Sequence, residues 1–430
     1  MTGAPDSSSR NVNANVNVNV NANAEVNAAV NRNEIGNETG NPIGNTIDEL
    51  LLQGVDTVYP AAAVHCLLGR QVFYARSVGA ARAETCFDIA SLTKALCTSV
   101  LCLRAIAQGS LRLDETPLPG VSVEALLRHE SGLPAWLPLF APGLTDANEA
   151  AARPFPSPSD TLRRAAFAEA RSAPRQPAGQ RAVYSDLGFI VLADLIEERL
   201  NQRLDDAFAR LADALGIELA FRPLDVAEPA QRLPATRCAP TRRESPTREI
   251  LLGLVHDDNA RAMLGVSGHA GLFGTAAAVA QLAGALLDCY HGCDTSVARV
   301  LGIPAPLLQA AWAQPDLRPE ADHAPGTTWG LGWDHPSPHG AASTAPSSSA
   351  SLAAVSSAGT LWPRTGVGHL GFTGCSLWID PAHDRDHALV AVFLSNRVCV
   401  ATPQAAAATQ AGIKRLRPAL HDAIQHALRP

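Results

Sequence analysis

The hydrophobic and polar positions resolve into elements along much of the chain. Residues 61–68 and 71–78 are two short apolar runs joined by Gly69-Arg70, which predicts a β-hairpin. Residues 91–108 are apolar on nearly every side and stop at Gly109, the pattern of a helix buried in a core and ended by a glycine. From Thr116 to about Gly359, proline and glycine break the chain repeatedly, with helical patterns at 188–200 and 275–287 between the breaks. Strands return at 368–379 and 387–395, separated by the turn Asp380-Pro381-Ala382-His383-Asp384. A last helix carries Ile413, Leu416, Leu420, Ile424 and Leu428 on one face, and Pro418 is expected to kink it.

Strands at both ends and helices between them predict an α/β (α+β) fold. An antiparallel sheet is built from the N- and C-terminal strands and flanked by helices, with a mainly helical region inserted. The expected boundaries are 47–119 and 358–430 for the sheet part, 120–335 for the helical part and 336–357 for a flexible Ser/Ala-rich insertion. Together they form one unit over 47–430. Residues 1–46 read as a disordered leader: 11–23 alternate Asn with Val or Ala, and Asn recurs every fourth position from Asn33 to Asn45. The period of two would also suit a self-associating strand.

Composition narrows the class. The 430 residues are 47% hydrophobic, enough for a sizeable core, and the net charge of -7 gives no electrostatic footprint for nucleic acid. Nine cysteines without a Cys-x-x-Cys pair read as buried thiols in a reducing compartment. The N-terminus shows no signal-peptide pattern, and the longest nearly apolar run, 95–107, is too short to span a bilayer and contains Arg104. A cytoplasmic chain is the expectation, or a periplasmic one if the start is misassigned.

Lysine is scarce: Lys94 and Lys414 are the only two. Arginine stays protonated in proteins, whereas a desolvated lysine can lose its proton and act as a base. Lys94 stands three residues after Ser91, in Phe87-Asp88-Ile89-Ala90-Ser91-Leu92-Thr93-Lys94. On a helix these two side chains share a face, so a neutral amine could activate the hydroxyl. Neutrality near pH 7 requires a fall of about three pKa units, roughly 4 kcal/mol. The plainer alternative is a serine N-cap beside a snorkelling surface lysine. Tyr184-Ser185-Asp186, ahead of a helical pattern, could present a phenol and a short polar side chain. In His369-Leu370-Gly371-Phe372-Thr373-Gly374 the small residues would let a substrate approach the backbone.

In this order the three segments resemble the serine β-lactamase and penicillin-binding-protein superfamily, in its class C β-lactamase-related branch of esterases, D-aminopeptidases and DD-carboxypeptidases. Leu126-Leu127-Arg128-His129-Glu130-Ser131-Gly132-Leu133-Pro134, 265–275 and Trp329-Gly330-Leu331-Gly332-Trp333 extend the resemblance, the last of them to a strand motif. It implies Ser91 as acylated nucleophile, Lys94 as its proton acceptor and Tyr184 as the partner base serving the leaving group. Asp186, His369 and Gly371 would face substrate, and the N–H groups of Ser91 and Phe372 would form the oxyanion hole. Two positions depart from the pattern. Asp186 replaces the usual asparagine and could hold Lys94 protonated, and Leu370 removes a hydroxyl that binds substrate carboxylates. Both changes favour a neutral ester or amide.

The string His256-Asp257-Asp258-Asn259, with His335 and His339, suggests a metal only superficially, and no metal or cofactor is expected. The expectation is a serine hydrolase acting through an acyl-enzyme on a small ester or amide. D-alanyl-D-alanine carboxypeptidase, D-aminopeptidase or β-lactamase activity is the alternative within enzymes, and a non-catalytic ligand-binding relative the alternative outside them. No nucleic acid partner and no membrane span are expected, and nothing in the sequence fixes the oligomeric state.

Overall fold

Alternation of side chains along the terminal strands sets the architecture. The computed structural model describes residues 42–144, 146–151, 155–243, 250–315, 327–337, 356–400 and 402–428. The hairpin forms as Ala61–Leu68 and Gln71–Gly79, turning at Gly69 with φ of 58°. A Cβ at Gly69 would lie 2.8 Å from the Asp386 carbonyl oxygen, so the tight turn also accommodates a neighbouring loop. The first hairpin strand pairs antiparallel with Leu389–Ser395, which pairs with Ser376–Asp380, which pairs with Val367–Leu370. Strands from the two ends of the chain thus share one five-stranded antiparallel sheet.

Period-two alternation sends Ala62, Val64, Cys66, Leu389, Ala391 and Phe393 to one face. There they pack with Ile47 and Leu51 of the helix Pro42–Gly54 and with Ile413, Leu420 and Ile424 of the helix Pro403–Ala427. The opposite face places Ala61, Ala63, Val390, Val392 and Leu394 in a larger core shared with the helical region. The apolar stripe read for the last helix is therefore its packing face, and the helix continues through Pro418.

Several expected elements differ. Residues 368–379 are not one strand: Leu370 pairs with Ser376 across a turn, because Gly371 and Gly374, the latter at φ of 108°, let the chain reverse. Ser91 lies just outside its helix. The helical run starts at Leu92, widens into a π-helical stretch over Lys94–Ser99 and becomes α-helical over Val100–Ala107. Trp329-Gly330-Leu331-Gly332-Trp333 is a tight turn closed by a bridge between Trp329 and Asp334, with Gly332 at φ of 80°, rather than a strand. Helix begins at Pro42, inside the stretch assigned to the leader. The Asn/Val repeat, His339 and most of the Ser/Ala-rich insertion lie outside the described residues. Among the described residues no helix is long and apolar enough to cross a membrane.

Candidate active site

Asp88 prepares the backbone for Ser91. It ends the short strand Phe87–Asp88, which pairs with Leu272–Gly274. Its carboxylate accepts from Ala90 N at 2.8 Å and from His256 N at 2.8 Å, and its carbonyl accepts from Thr373 Oγ1 at 2.8 Å. Burial pushes this carboxyl up to about 6. The clamp holds Ala90 in the left-handed region at φ of 49°, a conformation that costs an alanine about 1 kcal/mol or more. Ser91 follows directly and is partly accessible.

One helical turn on, Lys94 is completely buried. Its Nζ donates to Ser91 Oγ at 3.0 Å and to the His269 carbonyl at 3.1 Å, and lies 2.7 Å from Asp186 Oδ1. Asp186 is delivered by the helix Asp186–Leu200, whose N-cap Ser185 accepts from Gly188 N at 3.3 Å and donates to the Pro134 carbonyl at 2.7 Å. Tyr184 immediately precedes this cap and has its ring centroid 4.8 Å from Lys94 Nζ. Burial alone would lower the Lys94 pKa, but the neighbouring Asp186 and Tyr184 outweigh it and hold the amine above its ordinary value. Burial raises the Tyr184 phenol despite the neighbouring ammonium.

His369 closes the other side, with its ring centroid 5.9 Å from Tyr184 and 5.5 Å from Trp329. Burial, aided by Lys94, lowers its pKa to about 3, so the imidazole is neutral, and its buried Nε2 has no hydrogen-bond partner among the described residues. The turn that follows packs against the chain on either side of Ser91. A Cβ at Gly371 would lie 2.7 Å from the Ile89 carbonyl oxygen, so the turn sits directly on the Ser91 segment. Arg417, from the C-terminal helix, donates to the carbonyls of Gly371 and Cys375 at 2.7 Å each and of Gly374 at 3.1 Å. Among the described residues neither the Ser91 N–H nor the Phe372 N–H has an internal acceptor. Unpaired amides of this kind can donate to a developing oxyanion.

The structure brings Ser91, Lys94, Tyr184, Asp186 and His369 together, and places Gly371 against Ile89 and Phe372 against His256 and Arg397. It also adds other residues. His129, at φ of 59°, has its ring centroid 4.6 Å from that of Tyr184 with the planes tilted by 40°, and its Nδ1 accepts from Ser185 N at 3.0 Å. Burial and Lys94 keep it neutral. Asp257 lies 2.8 Å from His269 Nε2, while His269 Nδ1 contacts Ser267 Oγ at 2.8 Å. Burial would raise Asp257, but His269 and Lys94 hold it well below the usual carboxylate range. Asp186, Asp257 and His269 each have a ligand atom within 4.8 Å of the others. A divalent ion there would have to share the space with the Lys94 ammonium.

At the mouth, Phe372 is 60% exposed, stacks on His256 with centroids 5.5 Å apart and lies over the Arg397 guanidinium at 4.6 Å. The short motifs around His129 and His269 were visible in the sequence, but which of their side chains would meet Lys94 was not. Arg397 and Arg417 carried no local signal.

Known structures share the fold. The fold is shared with EstCE1, titled a hydrolase with promiscuous acyltransferase activity, at a TM-score of 0.57 and 18% identity over 88% of this chain and 98% of that one. It is shared equally with a penicillin-binding protein homologue from Caulobacter crescentus, at a TM-score of 0.56 and 18% identity over 89% and 98% of the two chains. A candidate D-alanyl-D-alanine carboxypeptidase of Escherichia coli K12 is 26% identical over 82% of this chain and 81% of its own. The β-lactamase family profile matches residues 47–413. Ser91, Lys94 and the sheet turn that faces them sit within a member of the β-lactamase family of hydrolases, to which this chain belongs.

Proposed function

We propose that the protein hydrolyses a small ester or amide through an acyl-enzyme on Ser91. The observation that carries this reading is a partly accessible Ser91 hydroxyl that accepts from the Lys94 amine at 3.0 Å, with the Tyr184 ring 4.8 Å from that amine and, among the described residues, the Ser91 and Phe372 amides without internal acceptors. With Lys94 and Tyr184 both protonated, neither is a base in the resting site. The acylating form has one proton fewer on that pair, and because the two groups are coupled the missing proton belongs to both.

In that form the pair takes the Ser91 proton as Oγ bonds to the substrate carbonyl carbon, and the oxyanion forms against the Ser91 and Phe372 N–H groups. Tyr184, at the substrate side, returns the proton to the departing oxygen or nitrogen as that bond breaks. A water then gives a proton to the pair and its hydroxyl to the acyl carbon, and Ser91 leaves with the proton. The neutral imidazoles of His369 and His129 wall the pocket without adding charge.

Turnover of p-nitrophenyl esters tests this, with an initial burst equal to the enzyme concentration expected for wild type and none for Ser91→Ala. Equal turnover by the two would sink it. A ligand-binding relative without catalysis would bind an ester analogue and release no product.

Arg397 favours a second reading of the substrate. It is 3% exposed, its buried Nε has no hydrogen-bond partner among the described residues, and no ion pair to a carboxylate is seen for it there, which is costly for a buried charge. A substrate carboxylate beside Phe372 would supply the missing partner, as a D-amino-acid peptide could. This opposes the preference for a neutral substrate suggested by Leu370. Comparing matched substrates with and without a free carboxylate, in wild type and Arg397→Gln, decides between them. Carboxylate dependence that vanishes in the variant supports the peptide reading, and indifference in both supports the neutral ester.

A further inference from the structure

The loop joining strands Ser376–Asp380 and Leu389–Ser395 carries two histidines and an aspartate that the hydrolase site does not use. His383 Nε2 lies 3.0 Å from Asp384 Oδ2, and His387 Nδ1 lies 2.8 Å from Asp384 Oδ1. The two imidazoles stack with centroids 4.8 Å apart and planes inclined by 28°. One ligand atom from each of the three residues falls within 4.8 Å of the other two. Metal bonds of about 2.0–2.2 Å put neighbouring ligand atoms roughly 3 Å apart, close to the nitrogen–oxygen spacings already present.

The loop is built to keep this shape. Asp384 Oδ1 accepts from the backbone N–H groups of Asp386 and His387, both at 3.0 Å, which fixes the carboxylate. Arg385, between the would-be ligands, points inward and is 7% exposed. Its Nε donates to Asp288 Oδ1 at 2.6 Å, and its other nitrogens reach the carbonyls of Gly69 and Gly284. The side chains on either side of this anchor remain open to solvent, at 77% for His383, 47% for Asp384 and 67% for His387.

We propose that His383, Asp384 and His387 bind a divalent first-row transition metal ion of the Ni2+ or Zn2+ kind, with water completing the shell. Two imidazole nitrogens and one carboxylate oxygen suit such ions, whereas Ca2+ and Mg2+ demand oxygen. The ion would take the two imidazole lone pairs and the carboxylate charge, tying the strand connection together. The loop lies at the end of strand Ser376–Asp380 opposite the 371–375 turn, so binding raises stability and leaves ester turnover unchanged.

Calorimetric titration of the untagged full chain with NiCl2, paired with thermal unfolding in Ni2+ and in Mg2+, tests the site. One-to-one Ni2+ binding and a rise of several degrees in Tm are expected for wild type, with no effect of Mg2+. Both effects should be lost in the His383→Gln/His387→Gln variant, which should keep wild-type turnover and metal-free Tm. Absence of Ni2+ binding by wild type, or equal binding by the double variant, would overturn the proposal. So would an event removed by Asp257→Asn instead, since that places the ion beside Lys94.

Discussion

Lys94 is where the sequence and the structure meet most sharply. Its scarcity and its spacing from Ser91 marked it as a base, yet Asp186 at 2.7 Å stabilises the ammonium and raises its pKa. In the proposed mechanism the catalytic form is the less protonated one, so kcat/KM for an ester should climb with pH into the alkaline range. Asp186→Asn removes the raising charge, and the rising limb should move to lower pH. A pH–rate profile of both proteins checks this, and an unmoved limb would show that Asp186 does not control the titration. Lys94→Arg keeps the charge but cannot give up a proton, and turnover should fall by about 100-fold or more. Ser91, Lys94, Tyr184, Asp186 and His369 could be singled out because each sits in a short motif, Ser-x-x-Lys, Tyr-Ser-Asp or His-Leu-Gly, that resembles a family pattern. Asp88, Asp257, Arg397 and Arg417 could not, because only packing brings them beside the turn and the amine. A buried arginine and an exposed one read alike in a sequence.

The 371–375 turn shows how an element was misread and why it matters. The apolar, β-rich run 368–379 suggested one strand, and only the two glycines hinted that it reverses. The reversal carries Phe372, and the three hydrogen bonds of Arg417 brace its carbonyls. Gly371→Ala would drive a methyl group against the Ile89 carbonyl at 2.7 Å and shift the turn. Loss of one oxyanion donor costs about 100-fold in kcat, and that is the expected penalty, with Tm lowered only modestly. Steady-state kinetics alongside a melting curve separate this from unfolding. The π-helical stretch Lys94–Ser99 was equally invisible, since an unbroken apolar run gives no sign of helical pitch.

At the scale of the molecule, strands at both ends with helices between them were enough to read the shared sheet, because period-two alternation survives any loop length. The sheet separates two cores, and only the larger one contains Leu92 and Ala95 beside Ser91 and Lys94. Ile424→Ala, in the distal core, should lower stability by roughly 2–5 kcal/mol in urea unfolding while the folded fraction keeps its turnover. The central claim concerns the intact folded chain and one oxygen atom in it. Intact-mass analysis and peptide mapping after exposure to a fluorophosphonate probe read that atom directly. A single adduct on Ser91, absent in Ser91→Ala, is the predicted result. A folded sample that stays unmodified, or carries its adduct on another residue, would contradict it.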